Sequence, residues 1–366
     1  MSDFRPADYE YMAHALRLAG RGKYTTQPNP CVGCVLVRND EIVGRGWHQK
    51  AGQAHAEIDA LEDAGEAARD AIAYVTLEPC SHHGKTPPCS SALADAGVAK
   101  VIAAVADPNP DVDGKGFASL RAAGVATEFG LMQKSARALN RGFFSRFETG
   151  RPFVTLKIAA SLDGRTAMKS GESRWITSPE SRADVQKLRA ASGAIMTGVA
   201  TVMADDPSLT VRDQDIKNEG RQPLRVVLDS RLRMAADARL LNEPGQTQVF
   251  CCDDSRRGDL EQAGAQVSLI AEEGNRIDVA RVLRELGSDG INDMLVEAGP
   301  VLAGSLLDRG LADEIVIYQA PHIMGSETRG MFSTPAWEGL AERRELTIVD
   351  VRKIGADLKI TATPGQ

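Results

Sequence analysis

No apolar run in this 366-residue chain approaches the roughly 18 residues that a membrane-crossing helix needs, and no basic start with a short apolar core marks the N-terminus. Secretion and membrane spanning are therefore not expected, and the cytoplasm is the expected compartment. Six cysteines are too few, and four of them too closely paired (Cys31 with Cys34, Cys251 with Cys252), to read as a disulfide framework. A basic excess is missing as well. The net charge is −7, with 16 Lys/Arg against 17 Asp/Glu over residues 1–147 and 27 against 33 in the rest. A protein that tracks a phosphate backbone needs the opposite balance, so nucleic acid is not an expected partner and a small soluble nucleotide suits the chain better. There is no internal repeat and no low-complexity tract.

What remains is an ordinary soluble composition, 43% hydrophobic and 25% charged, in a chain too long for one typical domain. Two domains are expected, residues 1–147 and 152–366, with Glu148-Thr149-Gly150-Arg151-Pro152 as the linker because Gly and Pro interrupt a helix before a new strand. In the first, periodicity predicts a helix near Pro6–Ala19, strands near Val32–Val37 and Glu41–Gly46, helix 55–63, strand 72–77, helix 89–96, strand Val98–Val105, a short helix near Phe117–Ala122 and one long helix over 131–147. That alternation implies a mixed sheet with helices on its faces. The second domain is again α/β. Strand Phe153–Ile158, helix 179–191, strand Ala194–Thr197 and the apolar run Leu224–Leu228 come first. Strand 247–252, helix 277–287, strand Met294–Val296, a helix over Pro300–Asp308 and strands 313–319, 345–352 and 357–363 follow.

Chemistry concentrates in His55-Ala56-Glu57, Pro79-Cys80 and Cys89. One imidazole and two thiolates are three zinc ligands, and three protein ligands leave the fourth tetrahedral position open, as in a catalytic site. Glu57, beside the ligands, is placed to shuttle protons. Cys80 and Cys89 could instead be small buried hydrophobes or a disulfide. The setting favours metal: Cys80 follows a buried strand, while His55 and Cys89 open helices whose local field helps hold a thiolate. Cys31-Val32-Gly33-Cys34 allows a rival four-cysteine zinc ribbon, although Cys34 lies in an apolar run and reads as packing, with Cys31 in a loop. Cys251 and Cys252 lie in a strand-like run and read as inert.

In the second domain, Glu297-Ala298-Gly299-Pro300 follows a strand and opens a helix, an arrangement that binds anions but is also a common connection. Asp229-Ser230-Arg231 adds a hydroxyl and a guanidinium at another strand's end. They suit a 2′-phosphate, although Arg231 could equally be a solvated turn residue. Thr201 and Asp205 follow a buried strand on a short helix, and Asp205 could be a helix-end residue only.

The His-x-Glu and Pro-Cys pattern is similar to that of zinc-dependent base deaminases, with Cys-x8-Cys where they have Cys-x-x-Cys. More specifically, Asn29-Pro30, Val32-Gly33-Cys34, Gly46-Trp47-His48, His55-Ala56-Glu57, Glu78-Pro79-Cys80-Ser81-His82-His83-Gly84-Lys85-Thr86-Pro87-Pro88-Cys89 and Asp107-Pro108-Asn109-Pro110 resemble the deaminase half of the bifunctional riboflavin-biosynthesis deaminase–reductases. Lys157, Ser161-Leu162-Asp163-Gly164, Ser173-Arg174-Trp175-Ile176-Thr177, Asp205-Asp206-Pro207 and Glu297-Ala298-Gly299-Pro300 resemble the reductase half, in the same order along the chain.

The resemblance implies a cytidine-deaminase-like domain with a mixed sheet followed by a dihydrofolate-reductase-like α/β domain. It implies one zinc per chain on His55, Cys80 and Cys89, and NADPH as hydride donor. The deaminase substrate would be a phosphorylated diaminopyrimidine gripped by Asn29, His48, His82, Lys85, Asp107 and Asn109, with Glu57 as acid–base. Lys157, Asp205 and Glu297 would stand at the reductase chemistry. Ala159, Trp175, Thr201, Asp205, Ser230 and Gly299 would contact the cofactor, and Ser173, Arg189, Leu209, Arg212 and Glu297 the substrate, with Arg189 and Arg212 on its phosphate. A homo-oligomer is expected. The alternative is a nucleic-acid base deaminase with an RNA-binding second domain, and a third reading is a zinc-stabilised binding module.

Overall fold

The computed structural model describes residues 4–81, 88–270, 272–273 and 276–365, which form two compact units, Met1–Thr149 and Gly150–Gln366. In the first, elements run α1 (Pro6–Ala19), β1 (Gly33–Arg38), β2 (Glu41–Trp47), α2 (Ala56–Ala64), β3 (Ile72–Val75), α3 (Cys89–Asp95), β4 (Lys100–Ala103), α4 (Lys115–Ala122), β5 (Ala126–Phe129), α5 (Gln133–Leu139) and α6 (Arg141–Thr149). The sheet order is β2-β1-β3-β4-β5, antiparallel through β3 and parallel from β3 to β5.

Alternation along each strand sends side chains to two cores. Leu36, Ala73 and Val101 pack with Ala60 of α2, Leu93 of α3 and Leu120 of α4, while Val35, Tyr74 and Ile102 pack with Met12 of α1 and Phe143 and Phe144 of α6. Helix α2 lies so close to β2 that a Cβ at Gly46 would run into the Ala56 carbonyl, so only glycine fits there.

Two sequence expectations change here. The long helix over 131–147 is two helices broken at Asn140, whose side chain is used elsewhere. Its Oδ1 accepts from the Cys31 N–H at 2.7 Å and its Nδ2 donates to the Cys31 carbonyl at 2.9 Å. Glu148 and Thr149, expected in a linker, complete α6, and the break comes at Gly150 with φ +72°.

The second unit runs β6 (Phe153–Ser161), β7 (Arg165–Ala167), α7 (Pro179–Ala191), β8 (Ala194–Gly198), α8 (Val199–Asp205), β9 (Leu224–Leu228), β10 (Thr247–Cys251), α9 (Arg257–Gln262) and β11 (Gln266–Leu269). It continues with β12 (Glu272–Glu273), β13 (Arg276–Ile277), α10 (Val279–Ser288), β14 (Asp293–Glu297), α11 (Pro300–Asp308), β15 (Glu314–Ala320), β16 (Arg329–Gly330), β17 (Leu346–Ile354) and β18 (Asp357–Pro364). Nine strands form one sheet, ordered β11-β10-β9-β8-β14-β6-β15-β18-β17, in which β18 alone runs against the others and pairs antiparallel with both β15 and β17. Helix α10 shows how sequence drives this packing: Asp278 caps Arg281 N–H, and Val279, Val282, Leu283 and Leu286 form one buried stripe.

Among the described residues no helix is long and apolar enough to cross a membrane.

Candidate active sites

Every described residue expected at the first site falls at one edge of the first sheet. Cys80 follows β3 and Asp107 follows β4, which is parallel to it; Asn29 precedes the antiparallel β1 and His48 follows β2. His55 is the residue before α2, and Cys89 is the first residue of α3. His82 and Lys85 lie outside the described residues.

His55 Nδ1 is 3.3 Å from Cys89 Sγ and 3.7 Å from Cys80 Sγ, and the three ligand atoms lie within 4.8 Å of one another. A tetrahedral zinc with Zn–S about 2.3 Å and Zn–N about 2.0–2.1 Å would separate nitrogen and sulfur ligands by about 3.6 Å. The donor set and the spacing therefore both fit zinc. It is the one such cluster among the described residues, and it does not include Cys31 or Cys34. Cys34 is fully buried and its thiol is pushed well up by that burial, as expected of a packing residue.

Within the cluster the Cys80 thiol is pushed down to about 4. The leading cause is the hydrogen bond from Cys89, helped by His55 and the Cys89 N–H at 3.4 Å, against opposing burial. Cys89 is pushed up, first by keeping its proton in that bond and then by burial.

Glu57, in the first turn of α2, is 3% exposed, and burial pushes its carboxyl up to about 7. A carboxyl that titrates near neutrality can both take and give a proton. His48 is also buried, which lowers its basicity. Its Nδ1 lies 2.9 Å from the Ala54 carbonyl and its Nε2 3.1 Å from Asn29 Nδ2. A carbonyl only accepts and an amide nitrogen only donates, so this pattern fits the neutral ring with its proton on Nδ1. Asp107 and Asn109 sit on the turn after β4, where Asp107 Oδ1 accepts from the Asn109 N–H at 2.8 Å.

The second site also forms at one edge, across four adjacent parallel strands in the order β9, β8, β14, β6. Ser230 and Arg231 follow β9, Thr201 and Asp205 lie on α8 after β8, Glu297 ends β14 and Lys157 and Ala159 are on β6. Ligand crevices form beyond the carboxyl ends of such strands.

Lys157 Nζ is 3.8 Å from Glu297 Oε2, while Arg189, from the last turn of α7, forks onto Glu297 at 2.6 and 3.1 Å. Burial alone would raise the Glu297 carboxyl, but Arg189 and Lys157 hold it down at about 2. Burial lowers Lys157, with Glu297 opposing. Thr201 Oγ1 accepts from the Gly299 N–H at 3.2 Å, and Gly299 is the residue before α11. Ser173 donates to Asp205 Oδ1 at 3.0 Å. Trp175 is 68% exposed, with the Arg182 guanidinium 4.5 Å from its ring centroid.

Two residues stand differently from what their motifs suggest. Arg189 is buried, and its guanidinium is committed to Glu297 and to the Thr210 carbonyl at 2.9 Å, whereas Arg212 is exposed. Leu209 is 2% exposed, its side chain packs with Ile195 and Leu295, and its φ of +49° is costly for a leucine. Any ligand contact there falls to its backbone. Sequence reasoning also gave no role to Glu78, whose buried carboxylate gathers four backbone N–H groups; the glycine in place of a polar residue before α4 is the signal that a cap comes from elsewhere.

The cytidine and deoxycytidylate deaminase zinc-binding region matches residues 6–105, and the RibD C-terminal domain matches residues 152–360. Together they define a class of enzyme in which a deaminase and a reductase share one chain. The riboflavin biosynthesis protein RibD of Escherichia coli is 49% identical over 360 residues, covering 96% of this chain and 98% of that one. The RibD of Haemophilus influenzae is 47% identical over 373 residues, covering 100% and 99%. Among solved structures, Acinetobacter baumannii RibD superposes with a TM-score of 0.93 at 44% identity, covering 98% of this chain and 99% of that one. A diaminohydroxyphosphoribosylaminopyrimidine deaminase/5-amino-6-(5-phosphoribosylamino)uracil reductase of Thermotoga maritima gives 0.85 at 30% identity, with the same coverage. The chain belongs to the RibD family, the bifunctional deaminase–reductases of riboflavin biosynthesis. The nucleic-acid base deaminase reading is not favoured.

Proposed function

We propose that the first unit hydrolyses the 2-amino group of 2,5-diamino-6-(5-phosphoribosylamino)pyrimidin-4-one to ammonia, with one zinc per chain, and that the second reduces the ribosyl side chain to ribityl with NADPH. The observation that carries the deaminase reading is the cluster of His55, Cys80 and Cys89 with the buried Glu57 two residues from His55. These three ligands would hold zinc. When bound, zinc supplies the Lewis acidity that makes a water acidic near neutral pH.

Glu57 takes a proton from the attacking water and gives it to the ring nitrogen, then takes the second proton from the newly added hydroxyl and gives it to the amine that leaves as ammonia. A carboxyl raised to about 7 suits both transfers. Asn29, His48, Asp107 and Asn109 orient the ring, with His82 and Lys85 completing the grip.

In the second unit NADPH, when bound, supplies the hydride. Ala159, Trp175, Thr201, Asp205, Ser230 and Gly299 hold the cofactor. Lys157, Asp205 and Glu297 stand at the reacting carbon, and Ser173, Arg189, Leu209 and Arg212 contact the substrate. Arg212, exposed where Arg189 is already paired, is the residue for the phosphate. The site works in the cytoplasm on a small molecule. A homo-oligomer is supported by the edge strand β17, which exposes Ile348, Val349 and Val351 by 62%, 56% and 54%.

The test is direct. Full-length protein given the diaminopyrimidine should release ammonia and then consume NADPH. Deamination of oligonucleotides, without either signal from the pyrimidine, would overturn the reading.

A further inference from the structure

Helix α4 begins without a local cap. The residue before it is Gly114, with φ +77° and no side chain to accept the first-turn amides. Those amides are instead met by a residue 36 to 39 positions upstream. Glu78 Oε1 accepts from Gly116 N–H at 3.0 Å and Phe117 N–H at 3.3 Å, while Oε2 accepts from Gly114 N–H at 3.1 Å and Asp107 N–H at 3.2 Å. The carboxylate is 3% exposed, and its negative charge suits a helix N-terminus. Contact is close enough that a Cβ at Gly116 would run into the Pro79 carbonyl.

We propose that Glu78 is a positioning residue of the deaminase, whose carboxylate holds the segment 107–117 so that Asp107 and Asn109 face the pyrimidine. The inference rests on the proposed substrate contacts of those two residues. A chain of bonds carries the position outward: Glu78 fixes the Asp107 N–H, Asp107 Oδ1 fixes the Asn109 N–H at 2.8 Å, and Asn109 Oδ1 fixes the Asp111 N–H at 3.1 Å. The neighbouring ligand Cys80 does not depend on the carboxylate. Its backbone is anchored by Glu78 N–H to the Val105 carbonyl at 3.0 Å and by Ser90 N–H to its own carbonyl at 3.2 Å.

Glu78→Gln replaces one acceptor oxygen with an amino group that faces two N–H donors. In the full-length zinc-loaded enzyme it should raise the deaminase KM about tenfold with kcat within about twofold. Zinc should stay at about one per chain and the reductase kinetics should not change. A role confined to folding would lower kcat and zinc together at unchanged KM, and that result overturns the proposal. Should Glu78→Gln not yield folded protein, Glu78→Asp is read the same way, keeping the charge on a side chain too short for all four donors; zinc lost from both variants also overturns it. Asn109→Ala separates the underlying reading from the inference. If it leaves KM unmoved, the substrate contacts are wrong; if it raises KM and Glu78→Gln does not, the contacts stand and Glu78 has no positioning role.

Discussion

Lys157 and Glu297 stand opposite each other in register on the parallel strands β6 and β14, with Nζ 3.8 Å from Oε2. Arg189 closes the other side of the carboxylate, so one acid is held between two cations in the second unit. Such a group is far more costly to remove from one side than to leave intact.

The Glu297 carboxyl is depressed from an ordinary 4.5 to about 2, so it stabilises the fold above pH 4.5 and loses that contribution as pH falls through 2. The contribution is on the order of 3 kcal/mol. Glu297→Gln leaves Lys157 and Arg189 facing a neutral partner and should lower the Tm of the second unit. The gap from the unaltered protein should narrow as pH falls from about 4.5 towards 2, measured by calorimetry. A gap that stays constant across that window would show that the carboxylate charge is not what stabilises the site.

Cys89→Ser should lose most of the zinc, measured by metal analysis, while Glu57→Gln should keep about one zinc per chain. The same Glu57→Gln protein should lose deaminase turnover by about 100-fold or more. Loss of metal from Glu57→Gln would recast the glutamate as a support for the ligands.

Glu57→Gln should also leave the reductase fully active when the deaminated intermediate is supplied, because the residues proposed for each reaction lie within one compact unit. Steady-state NADPH oxidation reads this. Loss of both activities in a folded protein would show that the two units do not act independently.

NADPH should be preferred over NADH. Ser230 and Arg231 follow β9 after Asp229, whose fully buried carboxylate accepts from the Met234 N–H at 2.7 Å, and neither of the two is the acid that binds an unphosphorylated ribose 2′-hydroxyl. Replacing both by alanine should raise KM for NADPH about tenfold while NADH kinetics hardly change. Equal use of the two cofactors by the unaltered enzyme would refute the assignment.

The meeting of His55, Cys80 and Cys89 and the strand framework were legible because their signals are local. His55 and Cys89 each open a helix, Cys80 ends a buried run, and apolar periodicity marked α7, β9 and α11 with their observed bounds. What escaped depends on partners far along the chain. Asn140 looks like one more residue of a continuous helix, since the group that withdraws it is 109 positions away. Arg189 reads as a free phosphate ligand until Glu297, 108 positions on, is seen to occupy its guanidinium. Strand β5 was missed because Ala126–Phe129 is short and only half-buried, without the apolar run of its neighbours.

The pair of bonds between Asn140 and Cys31 also bears on the order in which the chain acquires its shape. Asn29, two residues before Cys31, belongs to the earliest part of the sequence, yet the tether that steadies this loop comes from the other end of the first unit. During synthesis the loop from Asn29 to Cys31 therefore waits for its tether until residue 140 has been made. Closing so long a loop is slow compared with forming α1 or the β1–β2 hairpin. The five strands and α1 to α5 can assemble first, and the tether forms together with the docking of α6, whose Phe143 and Phe144 complete one core.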